Sequence, residues 1–138
     1  MKIKNFAMLA GVAGLLAACG GSSIVEPADL NDQRVFFAFN SSEISDEAHD
    51  NLLGQSLYMK NHADTKIQIA GNCDERGSTE YNLALGARRA NAAKAVLVKD
   101  GIDSKRISTI SYGKERPLVQ GTGEKVWKFN RNATTTVK

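Results

Sequence analysis

Gly71-Asn72-Cys73-Asp74-Glu75-Arg76-Gly77-Ser78-Thr79-Glu80-Tyr81-Asn82-Leu83-Ala84-Leu85-Gly86-Ala87-Arg88-Arg89-Ala90 joins two different hydrophobic periods in the middle of this 138-residue chain. Before it, Lys66 to Ala70 alternates through Ile67 and Ile69, the period-two pattern of a strand. After a polar loop from Gly71 to Ser78, apolar residues recur at helical spacing from about Glu80 to Lys99, and Asp100-Gly101 ends the helix in the C-cap manner. On a helical wheel Leu85, Ala92 and Val96 mark the apolar centre, Ala93 and Leu97 one flank, and Arg89 falls inside the arc. An arginine there is costly unless it meets an acid or reaches water. Helical side chains lean toward the N-terminus, so Arg89 is expected to aim back at the loop carrying Asp74 and Glu75. Such a pair has two uses. The charges can neutralise each other in a structural salt bridge, or receive a zwitterion, the acid taking an ammonium and the guanidinium a carboxylate in bidentate fashion. Spacing alone favours the salt bridge.

Working outward, Val35, Phe37 and Phe39 alternate with Arg34, Phe36 and Ala38, which predicts a strand with one strongly buried face. Asn40-Ser41-Ser42 breaks it, and Ser45 caps a helix reaching about His62, with Asp46 and Glu47 in its first turn and Ala48, Leu52, Leu53, Leu57 and Met59 as its apolar stripe. Gly54 weakens that helix slightly. Beyond the long helix, Asp103 or Ser104 opens a short turn and Ile107 to Tyr112 reads as a third strand; Trp127 to Arg131 is a short helix and Ala133 to Val137 a threonine-rich last strand. Strands alternating with helices predict an α/β (α+β) two-layer sandwich.

The first residues have a different character. Lys2 and Lys4 precede an apolar run, Phe6 to Leu16, too short to span a bilayer, and Leu16-Ala17-Ala18-Cys19 closes it. This is the pattern of a lipoprotein signal: residues 1–18 are removed and Cys19 carries the acyl groups. Gly20 follows where an Asp would signal inner-membrane retention, so the expected location is the outer membrane, facing the periplasm. Residues 19–33 show no apolar period and read as a tether, whose part after Cys19 reaches roughly 45 Å fully extended at about 3.3 Å per residue. Residues 34–138 form the single domain. Of 18 Lys plus Arg, removal of Lys2 and Lys4 leaves 16 against 15 Asp plus Glu, a balance that argues against a nucleic-acid protein. With Cys19 acylated, Cys73 has no disulfide partner and reads as a small, buried or half-buried thiol rather than a nucleophile.

Other chemistries find little support. His49 and His62 lie on or near the first helix at a spacing that matches no ligand motif, so neither a metal nor a cofactor is expected. No serine lies in a nucleophile elbow and neither histidine has an acid–nucleophile pairing, so no enzyme is expected. Gly71 and Gly77 do not make a P-loop. Phe36 and Trp127 are candidates for exposed aromatics facing a protein partner, with packing under a helix the alternative.

The long central run quoted above resembles the signature of the OmpA-like peptidoglycan-binding domain, and the resemblance extends from Arg34 to the C-terminus. With the Cys19 pattern, the short tether and Ser111-Tyr112-Gly113-Lys114-Glu115-Arg116-Pro117, it is most similar to the lipid-anchored members that serve the Tol system. The resemblance implies a mixed four-stranded sheet with helices on one face. It implies non-covalent binding of the diaminopimelate-containing peptide stem of peptidoglycan, attachment of outer membrane to wall, and TolB and TolA as partners. Asp74 and Arg89 match the aspartate and second arginine that grip diaminopimelate in the family; Asn82 and Leu85 match residues that shape and line its groove. Asn130 and Arg131 match the start of a C-terminal Asn-Arg-Arg element, which gives Arg131 an expected ligand role. Asn40, also a candidate ligand residue, stands where the family often has Asp and so removes one possible acceptor charge. Asn132 replaces the second arginine of that element, Thr134 to Thr136 replace apolar residues of the last strand, and Ala87 stands where Glu or Gln is frequent. Two alternatives stay open: a wall anchor of this family outside the Tol system, and a periplasmic enzyme acting on wall peptides.

Overall fold

Ile67 and Ile69 lie at the centre of a four-stranded sheet, in the computed structural model that describes residues 24–138. The expected signal segment and Cys19 fall outside the described residues. Along the chain the elements are β1 (Gln33–Phe36), α1 (Asp46–Asn61), β2 (Ile67–Asn72), α2 (Thr79–Lys99), a 3-10 turn (Ser104–Arg106), β3 (Ile107–Gly113), α3 (Glu124–Asn130) and β4 (Asn132–Val137). The strands run in the order β1-β4-β2-β3; β2 and β3 are parallel, while β4 pairs antiparallel with β1 and β2. Parallel neighbours need a crossover, and α2 supplies it. Val35, Ile67, Ile69, Ile107 and Ala133 of the sheet pack against Leu52 and Met59 of α1 and Ala93 and Leu97 of α2. The expected two-layer α+β sandwich, a mixed four-stranded sheet backed by helices, is the observed fold.

Both long helices start on capping serines. Ser45 Oγ accepts from the Ala48 N–H at 3.1 Å and Ser78 Oγ from the Tyr81 N–H at 3.0 Å. At the end of α2, Gly101 (φ 106°) donates to Val98 O and Ile102 to Leu97 O, each at 3.0 Å, the Schellman pair that a left-handed glycine permits. The stripe of α1 differs from expectation. Leu53 and Leu57 are only half-buried, whereas Gln55 and Ser56 are inside because each finds a partner: Gln55 Oε1 accepts from Thr135 Oγ1 and Ser56 donates to Asp100 Oδ2, both at 2.7 Å.

Several boundaries also differ. β1 stops at Phe36, since Asn40 turns into the left-handed region (φ 59°), which asparagine tolerates, and Ser41 N–H closes a turn onto Ala38 O at 3.2 Å. Phe37 stays in the core, but Phe39, expected on the same buried face, is 56% exposed. The stretch expected to be tether lies on the domain from Val25. Leu30 is fully buried in the core, Asp32 N–H donates to Thr135 O at 2.8 Å, and Asn61 Nδ2 donates to Glu26 at 2.9 Å. The backbone crosses α1 so closely that a Cβ at Gly54 would lie 2.3 Å from Val25 O, which explains a glycine in mid-helix. A lone leucine among polar residues gives no period, so the sequence pattern had no means of showing this contact.

Candidate functional site

α2 leaves the sheet through a very close contact. A Cβ on Gly86 would stand 2.9 Å from Gly71 O and 2.3 Å from Ser111 Oγ, so only glycine lets the helix lie this near the ends of β2 and β3. The buried face of α2 consists of Asn82, Leu85, Gly86, Arg89, Ala90, Ala93 and Leu97, turned from the expected centre at Ala92 and Val96, both half-buried. Arg89 is thereby at the middle of the buried face and wholly inaccessible.

The expected Asp74–Arg89 salt bridge is not made. Arg89 instead donates to three backbone carbonyls: Nε to Ser41 O at 2.8 Å, Nη1 to Asn72 O at 2.9 Å and Nη2 to Ala38 O at 3.1 Å. It binds the loop after β1 to the end of β2. Among the described residues no carboxylate lies within ion-pair distance of it, and burial pushes its pKa down, the sign of a cation without adequate compensation. A guanidinium has five N–H donors, so one on each terminal nitrogen is left over by these carbonyl bonds.

Asp74, almost fully buried, faces two other arginines. Arg76 holds it in a fork, Nε to Oδ1 at 3.1 Å and Nη2 to Oδ2 at 2.8 Å, and Arg76 N–H adds a third bond to Oδ1 at 3.0 Å. Arg131 Nη1 is 3.5 Å from Oδ2 but is itself bidentate to Glu124, at 3.0 and 2.8 Å, and its Nε donates to Phe37 O at 2.8 Å. Burial drives the Asp74 carboxyl up and the Arg76 hydrogen bonds drive it further down, leaving it below its ordinary value. Arg131 and Glu124 thus balance, as do Asp74 and Arg76, and the positive charge of Arg89 is left over.

A cavity of about 100 Å³ brings together Asp74, Arg89, Asn82, Leu85 and Asn40 of the expected site, along with Phe39, Arg76 and Tyr81. Arg131 stands behind it, bracing Asp74. Asn82 is a scaffold: its Nδ2 donates to Arg76 O at 2.8 Å and Ser78 O at 3.1 Å, fixing the Asp74 loop to the first turn of α2, while its carbonyl accepts from Cys73 Sγ at 3.3 Å. Burial raises the Cys73 thiol pKa, which keeps it protonated. A larger trough of about 400 Å³ on the open face of the sheet, lined by Arg34, Gln68, Thr134 and Thr136, has no paired acid and base and is remote in chemistry from the motif. Asn132 there donates to Phe129 O and accepts from Asn72 Nδ2 and Thr134 Oγ1, so the position expected for an arginine serves sheet cohesion instead.

Sequence reasoning missed Arg76 and its aromatic seat. The guanidinium lies 3.9 Å from the ring centres of both Phe39 and Trp127, and Trp127 Nε1 donates to Glu75 Oε2 at 2.7 Å. Opposite charges two residues apart in a loop, Asp74 and Arg76, were the available signal. Trp127 is therefore half-buried against an arginine, whereas Phe36 is exposed and meets Phe129 edge-on with centroids 6.4 Å apart.

Residues 36–131 match the model of the OmpA family. A peptidoglycan-associated lipoprotein of Mesorhizobium japonicum is 43% identical over 99% of this chain and 80% of its own length, and one of Pasteurella multocida 37% identical over 96% of each. The crystal structure of the peptidoglycan-associated lipoprotein from Burkholderia pseudomallei superposes with a TM-score of 0.75 at 38% identity, over 77% of this chain and 90% of that one. The periplasmic domain of Helicobacter pylori MotB, at 18% identity and a TM-score of 0.62, shares the fold. Carrying the Asp74–Arg89 junction on this same strand–loop–helix frame, the chain belongs to the OmpA family and groups within it with the peptidoglycan-associated lipoproteins.

Proposed function

We propose that this chain is a non-catalytic anchor: an outer-membrane lipoprotein, acylated at Cys19, whose domain binds the diaminopimelate-containing peptide stem of peptidoglycan and works with TolB and TolA. The observation that carries the binding reading is Arg89, a fully buried cation that donates to three backbone carbonyls and has no carboxylate within ion-pair distance among the described residues. Burying a charge without a counter-charge is expensive, and a ligand carboxylate supplies what the fold withholds. Asp74, across the same cavity, offers the opposite charge for an ammonium. Asn82 and Leu85 shape and line the groove, Asn40 edges it, and Arg131 supports Asp74 from behind. The names of the relatives agree with wall binding, and the Ser111 to Pro117 segment with the Cys19 pattern supports the Tol assignment. An anchor at Cys19 then has a short reach, since six residues to Val25, where the chain meets α1, span at most about 20 Å. Co-sedimentation with purified sacculi tests the binding. Wild type is expected in the pellet and folded Arg89→Met in the supernatant; an Arg89→Met variant that pellets like wild type would overturn the assignment.

A further inference from the structure

Asp74 already has a cation in place. Three arginines surround the cavity and its acid, and they are held differently. Arg89 is tied to three backbone carbonyls and Arg131 to Phe37 O and Glu124, so moving either would break contacts that hold loops together. The side chain of Arg76 hydrogen-bonds to Asp74 alone among the described residues. Its exposure is 32% against 5% for Asp74, which puts the guanidinium at the mouth and the carboxylate behind it. Phe39 and Trp127 flank it as a flat slot, a seat that suits a planar cation and stays apolar once the cation leaves.

We propose that Arg76 is an internal stand-in for the ligand's ammonium and sets the specificity of the cavity. With Arg76 seated, Asp74 is neutralised and Arg89 alone reads a carboxylate. With Arg76 displaced, Asp74 and Arg89 face the cavity together and read an amino-acid zwitterion. This rests on Asp74 and Arg89 being the ligand groups. Because binding the ammonium exchanges one cation at Asp74 for another, the amino group adds little net affinity in the wild-type protein. Removing Arg76 frees that contribution.

Calorimetry with two probes tests the exchange: a stem peptide with an intact zwitterionic diaminopimelate centre, and a des-amino analogue that keeps the carboxylate. Wild type is expected to bind the two within about threefold. Arg76→Gln is expected to bind the zwitterion about fivefold more tightly, the worth of a partly exposed ion pair, and to reject the des-amino analogue by at least about tenfold. Arg76→Lys, which keeps a cation but cannot span both oxygens, should fall between. Weaker zwitterion binding by Arg76→Gln, or equal rejection of the analogue by wild type and variant, would overturn the stand-in role while leaving the site intact. Failure of wild type to bind either peptide would overturn the site assignment itself, and this inference with it.

Discussion

Leu30→Ala separates a seated N-terminal segment from a tether. Leu30 is fully buried, belongs to the cluster that includes Leu52, Met59 and Leu97, and is followed by the Asp32 N–H to Thr135 O bond that pins the segment to β4. Truncating a core leucine to alanine costs about 2–5 kcal/mol, the spread reflecting how far the site collapses. Here the segment can close in only partly, because Gly54 already lets its backbone touch α1 and β1 follows at Gln33, so about 2.5–4 kcal/mol is expected. For a domain near 115 residues each kcal/mol moves Tm by roughly 3–6 °C, giving a drop of about 10–20 °C. Differential scanning calorimetry reads the loss, and hydrogen exchange at the Asp32 amide, protected in wild type, shows whether the segment has lifted. A Tm change under about 2 °C with an unprotected Asp32 amide in wild type would refute the reasoning and restore the tether.

Asp74 titrates below its ordinary value when folded, so the stability it confers is complete above the unfolded carboxyl pKa of about 4 and is lost as pH falls through the lower folded value; urea midpoints at pH 6 and pH 3 should diverge less in Asp74→Asn than in wild type. Gly86→Ala should cost about 2–3 kcal/mol or prevent folding, since its Cβ meets the Gly71 carbonyl at 2.9 Å, and a thermal melt like that of wild type would contradict the close contact. Cys73 should resist thiol reagents at neutral pH in the native protein, and Cys73→Ser, which keeps a donor for Asn82 O, should still pellet with sacculi; rapid native labelling would show the thiol to be accessible.

What was legible in the sequence is what local chemistry controls. Ile67 and Ile69 announced a strand by period, Ser45 stands where a helix cap belongs, and Asp100-Gly101 ends α2 in the C-cap manner. The nearness of Asp74 and Arg89 followed from one loop–helix junction, and the family resemblance put Asn82 and Leu85 beside them, as the cavity does. Contacts between distant segments were not. Leu30 reaches the core across the chain, Gln55 is inside because Thr135 waits there, and the carbonyls that receive Arg89 come from Ala38 and Ser41, far from it in sequence. The wheel centred on Ala92 and Val96 failed for the same reason: Gly71 and Gly86 fix how α2 rolls on the sheet, and small residues leave no hydrophobic signal. Arg76 interrupts no pattern in the sequence, being one charge in a polar loop, whereas Arg89 stands out inside an apolar stripe.

The most direct measurement compares a stem peptide whose free diaminopimelate carboxylate is intact with one in which it is amidated, by calorimetry on wild type and on Arg89→Met. If Arg89 reads that carboxylate, amidation weakens wild type by about 2–5 kcal/mol, a loss of some thirtyfold or more, because a buried charge loses its partner. In Arg89→Met both peptides should bind weakly and alike, the interaction being already gone. Equal weakening by amidation in the two proteins would contradict the assignment and leave the buried guanidinium of Arg89 a structural clamp.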